Sequence, residues 1–413
     1  MKLTNISRYF RINILPPSFL REALIAFSFD IGGILAGFIV ASQFNVFQVS
    51  PWAIAVYPVI LTARGVLGGL FSGRLSTALH IGTIHPTLRR NTENFYMLFK
   101  SMIVITSETC LVMSLASLLF AKLFWGITFA DSSNILIIML ATMFLGLTNS
   151  LITIEVAFIS FKRGLDPDVV VYPIMSTVAD IVITLCYVST LSLFFLFGFT
   201  GRYIVISLGT SLIIFSLGVL PRCIHDQGFV KTIKESLLTL VFVAFIVNFT
   251  GTILKGISEI IGSRKEIYTV YPALIDTVGD FGSIVGSTAT TKLILGLLNP
   301  SFRSIRNHAT RISATWAASI VMFIVYSVIS LLTQSMLTLH ALLSFTALLL
   351  TTNIIVFPAI VLISYAIAIL TFKRGLDPDN FVIPIESSLA DSITSIALLA
   401  ALALTNYMVL GGA

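Results

Sequence analysis

The sequence FKRGLDPDVVVYPIMSTVAD at residues 161–180 occurs a second time, in closely similar form, as FKRGLDPDNFVIPIESSLAD at residues 372–391. Fourteen of the twenty positions are identical between the two copies. Each copy lies near the end of one half of the chain and ends on an aspartate inside an apolar run. The duplication therefore predicts a chain built from two related halves, each of which closes on a carboxylate.

The composition is typical of a protein embedded in a lipid bilayer. Of the 413 residues, 56% are hydrophobic and 11% are charged, whereas a soluble protein has roughly a quarter of its residues charged. Several apolar runs exceed the ~18 residues that indicate a membrane-spanning helix. The net charge of +6 therefore belongs to the loops and does not indicate nucleic-acid binding. We expect an all-α polytopic membrane protein.

Hydropathy predicts eleven membrane spans. They lie at about 20–45, 51–84, 95–124, 133–161, 167–198, 202–222, 230–256, 266–298, 311–335, 340–371 and 378–406. The predicted organisation is a cytoplasmic segment, a first five-helix repeat, a linker helix and a second five-helix repeat, at residues 1–17, 18–199, 200–224 and 225–407.

The loop charges predict the orientation. With these spans, sixteen Lys and Arg residues fall on the N-terminal side of the membrane and five on the opposite side. Positively charged loops stay in the cytoplasm. We therefore expect a multi-pass cell-membrane protein with its N-terminus in the cytoplasm and, after an odd number of spans, its C-terminus outside.

A second repeat fixes how the halves align. The sequence YPVILTARGVLGGLFSGRLSTALHIGTIHP at 57–86 corresponds to YPALIDTVGDFGSIVGSTATTKLILGLLNP at 271–300. The offset is 214 residues here and 211 in the opening motif, so whole five-helix units align. A linker span between two odd-numbered units gives both the same orientation. The expected pseudo-two-fold axis runs along the membrane normal.

The opening motif predicts a tight cytoplasmic corner followed by a polar helix. Gly164 and Gly375 suit a helix end, while Asp166 and Asp377 suit the N-cap of the next helix. Minor roles in gathering cations are an alternative for the aspartates of this corner. Within the next helices, interior prolines predict kinks and hydroxyls flank each acid at four-residue spacing: Pro173, Ser176, Asp180 and Thr184, and Pro384, Ser387, Asp391 and Ser395.

Asp180 is expected near the middle of the membrane. Fourteen residues separate it from the capping aspartate, which corresponds to roughly 21 Å of helix. An ionised carboxylate facing lipid at that depth costs several kcal/mol, so it must face a partner or water. We interpret Asp180 and Asp391 as facing each other across an ion path. A structural acid bonded to a neighbouring helix is the alternative.

Spans 2 and 8 are predicted to form the other wall of this path. Small residues recur there at helical spacing, as they do where helices pack closely or line a pore: Gly65, Gly68 and Gly69, and Gly279, Gly282 and Ser283. Because an unpaired guanidinium is costly at this depth, we expect Arg64 to pair with Asp276 or Asp280 across the pseudo-axis. For the further intramembrane acids, which include Asp30 and Glu386, interhelical hydrogen bonds are expected, with proton or Na⁺ coupling as the alternative.

Together, the Pro-led, glycine-rich span and the later DPD…P…S…AD span resemble MgtE-type magnesium channels and, more closely, their two-repeat relatives in solute carrier family 41. The resemblance covers both repeats and implies a single-chain form without cytoplasmic sensor domains. It implies a path for divalent cations, chiefly Mg²⁺, lined by the second and fifth helices of each unit, with Asp180 and Asp391 recognising the ion. The family's glycine before that aspartate is replaced by Ala179 and Ala390.

The chemistry of the candidate residues agrees with this interpretation. Mg²⁺ takes oxygen ligands and gives up water reluctantly, so carboxylates and hydroxyls, including Asp276 and Asp280, suit a hydrated ion. Na⁺ is a candidate coupling ion. The competing hypothesis is a proton- or sodium-coupled transporter of a small organic solute. No HExxH or GxSxG motif indicates an enzyme. Because both halves lie in one chain, we expect it to work as a monomer.

Overall fold

In a computed structural model, the chain is described over residues 17–125, 129–163, 167–225, 227–262, 264–294, 298–374 and 382–405. Over these ranges the protein is helical and contains no β-strand. The predicted all-α fold is confirmed. The glycine and the capping aspartate of each predicted cytoplasmic corner, Gly164 and Asp166, and Gly375 and Asp377, lie outside the described residues.

The first half contains eight α-helices, and the fifth of them runs on into a π-helical turn, Ala121–Trp125. The eight are α1 Pro17–Ser28, α2 Ile31–Ser42, α3 Phe44–Gln48, α4 Pro51–Ile81, α5 Glu93–Phe120, α6 Phe129–Gly146, α7 Thr148–Lys162 and α8 Pro167–Leu196. Two predicted spans are therefore each divided into two helices, the first between α1 and α2 and the fourth between α6 and α7.

The second half follows a connecting helix, α9 Gly198–Cys223. It comprises α10 Gln227–Ile261, α11 Lys265–Ile294, a 3₁₀ segment Phe302–His308, α12 Ala309–Thr333, α13 Leu339–Lys373 and α14 Val382–Leu404. α9 lies at the edge of the bundle: 22% of its apolar window is buried, against 39–50% for the other candidate spans. Most of its surface is therefore available to lipid.

Nine helical segments of the described chain are long and apolar enough to cross a membrane. α4 and α11 are not among them, because α4 has only a shorter apolar stretch, Trp52–Gly68, and α11 carries acids in its middle. They correspond to two of the four spans that are predicted to line the polar path. The count of eleven spans stays a prediction.

The break between α1 and α2 is stabilised by side chains from both halves. Thr177 donates to the carbonyl of Phe29 at 3.1 Å, and Tyr326 donates to the carbonyl of Phe27 at 3.3 Å. Both carbonyls also accept from a backbone amide across the break, so each side chain adds a second hydrogen bond. The break holds the buried Asp30 at the start of α2.

The two halves exchange helices of their first predicted spans. α2 packs on α11, and α10 packs on α4. Both contacts use a glycine against a backbone carbonyl: a Cβ on Gly37 would collide with the Thr269 carbonyl oxygen, and a Cβ on Gly251 with that of Ala55. The two glycines and the two carbonyl residues each differ by 214 positions, so one contact occurs twice at the repeat offset.

Candidate functional site

Tyrosine hydroxyls join the helices of the second and fifth predicted spans within each repeat. Tyr57 of α4 shares a hydrogen bond of 3.0 Å with Thr184 of α8, and Tyr271 of α11 shares one of 2.8 Å with Ser395 of α14. Both tyrosines are buried. The outer residue of each predicted polar stripe is therefore fixed to the neighbouring helix, one turn beyond the acid.

Each duplicated aspartate lies beside the helix of the second predicted span of the opposite repeat. The Thr62 hydroxyl on α4 donates to Asp391 Oδ2 at 2.8 Å. On the other side, the carboxyl groups of Asp276 on α11 and Asp180 lie close enough to interact. Thr62 and Asp276 are 214 residues apart, so these are again matching contacts. The structure thus brings Asp180, Asp276 and Asp391 to the boundary between the halves.

The partner predicted for Arg64 was wrong. Its Nη1 lies 3.3 Å from Asp180 Oδ1, and its Nη2 donates to the backbone carbonyl of Met175. Both groups belong to α8 of the same half, whereas Asp276 and Asp280 were expected. Arg64 lies two residues beyond Thr62 and so points to a different side of α4, toward its own repeat.

Three further acids surround this boundary. Asp30 accepts from Thr277 at 2.8 Å, and Glu386 accepts from Ser283 at 3.0 Å, which agrees with the interhelical hydrogen bonds expected for them. Asp280 interacts electrostatically with both of these acids. With Asp180, Asp276 and Asp391, the described region holds six carboxyl groups against the single guanidinium of Arg64.

Two carboxylate oxygens in this region lack a protein partner among the described residues: Asp276 Oδ2 and Glu386 Oε1. A buried, unpartnered carboxylate oxygen is costly unless a proton, water or cation approaches it. The excess of acid over base therefore makes the boundary attractive to cations.

No group of three His, Cys, Asp or Glu side chains in the described ranges lies close enough to hold a metal ion jointly. A dehydrated ion bound directly by a carboxylate cage is therefore not what this arrangement of described side chains offers. An ion that keeps its water shell needs fewer direct ligands, and Mg²⁺ is the biological cation that most readily keeps it.

The glycines of α4 and α11 differ in what they face. Among the described residues, a Cβ added at Gly65 would meet no atom within 4 Å, and one at Gly279 would meet only the Ala390 side chain, at 4.0 Å. Close helix packing, the commoner use of such glycines, does not occur at Gly65. Gly282 has a steric role, because a Cβ there would collide with the Glu386 carboxyl group. Gly68 is adjacent only to the Arg64 side chain.

The other predicted residues are placed less fully. Ser176 and Ser387 are half-buried on α8 and α14. Pro173 and Pro384 lie within those helices and Gly69 within α4, but their side chains are outside the described part. α14 is described from Val382, which puts Pro384 in the first described turn, so the expected kink there is not tested.

Sequence inspection missed three hydrogen-bonding residues at this boundary. Thr62 donates to Asp391 and Thr277 donates to Asp30, while Tyr326 shares a bond of 2.7 Å with Thr277. The signal for Thr62 was available, because it occupies the position that Asp276 occupies in the other half. Aligning the halves residue by residue, rather than searching for identities, would have identified it.

Comparison with known proteins gives one match. The family model MgtE, described as divalent cation transporter, matches residues 57–190 and 271–401, which together make up more than half of the chain. The two matched regions contain α4 through α8 and α11 through α14, apart from their outermost residues, and include every contact made above by Asp180 and Asp391. No curated protein and no solved structure matches the chain.

Proposed function

This chain belongs to the MgtE family of divalent cation transporters, and from that premise we propose that it carries chiefly Mg²⁺ along a path between its two repeats. Asp180 and Asp391 recognise the hydrated ion in this proposal, and α4, α8, α11 and α14 line its path. The family is one of transporters and not of enzymes.

The observation that carries this proposal is the pair of cross-repeat contacts. Thr62 donates to Asp391 at 2.8 Å, and Asp276 lies close enough to Asp180 for their carboxyl groups to interact. Both duplicated acids therefore face the opposite half instead of packing against their own neighbours alone. A cation that passes between the halves meets carboxylates supplied by each of them.

The chemistry of the boundary favours a hard cation. Its polar side chains are carboxylates, hydroxyls and one guanidinium, and oxygen donors are the ligands that Mg²⁺ prefers. The described cysteines Cys110, Cys186 and Cys223 are free. The family match extends to divalent cations, and not to Na⁺ coupling or to the organic solutes considered from the sequence.

The path requires no second copy of the chain in this proposal. The acids that touch across the boundary all belong to one polypeptide, since each repeat provides one wall. We therefore propose that a monomer suffices for transport.

Flux into proteoliposomes tests the assignment. Asp391→Asn and Asp180→Asn each remove a negative charge at the boundary, and we expect Mg²⁺ uptake to fall about tenfold or more, which corresponds to a loss of about 1.4 kcal/mol or more. Glu259→Gln is the matched control, because Glu259 is an exposed acid paired with Lys255. Wild-type flux in both aspartate variants would refute the site assignment.

A further inference from the structure

Arg64 forms an ion pair with Asp180, one of the two acids that the proposed path requires. Its guanidinium contacts Asp180 at 3.3 Å and the Met175 carbonyl, and the two paired side chains are only 10% and 7% exposed. A buried ion pair of this kind neutralises much of the field of the acid. A divalent ion that binds Asp180 must therefore act against a positive charge that is already there.

The two repeats differ at this position. Val278 stands in the second half where Arg64 stands in the first, so no arginine from α11 reaches Asp391. Among the described residues, Asp391 has a neutral hydrogen-bond partner, Thr62, and no cationic one. The two duplicated acids are thus unequal, since one is neutralised by the protein and the other is not.

A cavity lies beside Arg64, and the residues that line it belong to the first half. Its polar lining comes from Arg64 itself, Thr106 of α5, and Asn149, Ser150 and Thr153 of α7. Asn149 is 7% exposed, and neither its amide oxygen nor its amide nitrogen has a protein partner in the described chain. An unpartnered buried amide lining a cavity indicates that a polar group enters that space.

In the corresponding cavity of the second half, the polar lining residues Thr277, Ser319 and Asn353 are all hydrogen-bonded. At the repeat offset of 211 residues, Ile360 replaces Asn149 and Phe357 replaces Gly146. Its asparagine, Asn353, bonds with Trp316 at 2.8 Å and Ser319 at 3.0 Å. The half that has the arginine therefore also has a polar cavity with unused hydrogen-bonding groups.

We propose that Arg64 is a tethered cation that competes with the transported ion for Asp180 and moves into the Asn149 cavity when the ion binds. This inference rests on the proposed function. A guanidinium displaced inside the membrane needs acceptors, and the Asn149 amide oxygen and the Ser150 and Thr153 hydroxyls supply them. Because the ion carries two charges and the Arg64 guanidinium carries one, Asp180 attracts the ion more strongly.

Mg²⁺ binding to the purified full-length chain, measured by titration calorimetry, tests the competition. Arg64→Gln removes the competing charge, and we expect Mg²⁺ to bind at least about fivefold more tightly, the lower end of ordinary coupling between sites. In the double variant Arg64→Gln with Asp180→Asn, the gain should disappear. Unchanged or weaker binding in Arg64→Gln, or a gain that persists without Asp180, would overturn the inference.

A second variant tests the cavity without altering any charge. Asn149→Leu removes the acceptor that receives Arg64, so we expect Mg²⁺ to bind several-fold more weakly. The same substitution in the Arg64→Gln background should have no effect, because there is no guanidinium to move. An equal loss in both backgrounds would show that Asn149 acts only on the structure and would reject the exchange.

Controls separate this inference from the proposed function. Lys255→Gln also removes one positive charge, but from an ion pair with the exposed Glu259, and it should leave Mg²⁺ binding unchanged. A wild-type chain that neither binds nor transports Mg²⁺ would refute the proposed function itself. A wild type that transports Mg²⁺, with an Arg64→Gln variant of unchanged affinity, would refute the tethered cation alone.

Discussion

Thr62 determines how Asp391 meets the first half of the molecule. Its hydroxyl donates a hydrogen bond of 2.8 Å to a carboxylate oxygen across the boundary. In a low-dielectric site such a bond to a charged acceptor is stronger than in water. Leaving the acceptor without a donor is correspondingly costly. Thr62 therefore contributes both to the stability of the boundary and to the position of the acid.

Replacing Thr62 by valine keeps the shape of the side chain and removes the donor. We expect Thr62→Val to lower the free energy of unfolding by about 1–3 kcal/mol, the cost of a buried acceptor left without its partner. Thermal unfolding in detergent measures this as a lower Tm. Thr62→Ser retains the hydroxyl and should remain close to wild type. Equal Tm values for the valine and serine variants would contradict the contact.

Residue pairing is the scale at which the sequence was least informative. The repeat predicted that Asp180 and Asp391 occupy matching positions, and the structure shows matching contacts for both. It could not predict that Arg64 pairs with Asp180, because three acids lie at similar depth and a partner is selected by side-chain direction around α4. That direction depends on helix rotation, which an apolar pattern interrupted by glycines leaves undetermined.

At the scale of elements, the exchange of first helices joins the halves. α2 lies on α11 and α10 on α4, each through a glycine that allows the backbones to approach. Two helices of the candidate path, α4 and α11, are thus each packed against a helix of the opposite repeat. Any movement of one repeat against the other must shift these two contacts together.

Glycine substitutions on α10 test this packing. A Cβ at Gly251 would collide with the Ala55 carbonyl oxygen, whereas one at Gly256 would meet nothing within 4 Å. We expect Gly251→Ala to destabilise the protein by about 1–3 kcal/mol or more, as overpacking does. Gly256→Ala on the same helix should be neutral or stabilising by up to about 1 kcal/mol. The measurement is the yield of monodisperse protein and its Tm in detergent.

Gly37→Ala, at the matching position on α2, should behave like Gly251→Ala, because its Cβ would meet the Thr269 carbonyl oxygen. A Gly251→Ala variant as stable as Gly256→Ala would show that the helices do not approach in this way.

Helix positions were largely predictable, and helix breaks were not. Hydropathy located each predicted span on a helical segment. In a membrane, the backbone N–H and C=O groups of an apolar run can find hydrogen-bond partners only in a helix or a closed barrel. It did not reveal the division of the first span at Phe29 and Asp30, or of the fourth at Leu147. At the first of these breaks, Thr177 and Tyr326 donate from distant helices, and a hydropathy pattern contains no information about such contacts.

At the scale of the whole molecule, matching contacts recur at the two repeat offsets. The tyrosine bonds, the glycine contacts and the cross-boundary acids all occur in pairs. The pairs differ where charge is concerned, since Arg64 and the polar cavity belong to the first half, and Asp276, Asp280 and Glu386 to the second. The duplicated scaffold therefore carries an asymmetric site, and the predicted orientation in the membrane remains a prediction.

The central claim is that a divalent cation passes between the two repeats at the duplicated aspartates. X-ray diffraction at the manganese absorption edge, from crystals of the full chain grown with saturating Mn²⁺, locates the ion directly. We expect the strongest anomalous peak between α4, α11 and α14, within reach of Asp391 and Asp276 directly or through one water. A peak confined to the interior of one repeat or to the surface loops, or no peak at all, would contradict the claim.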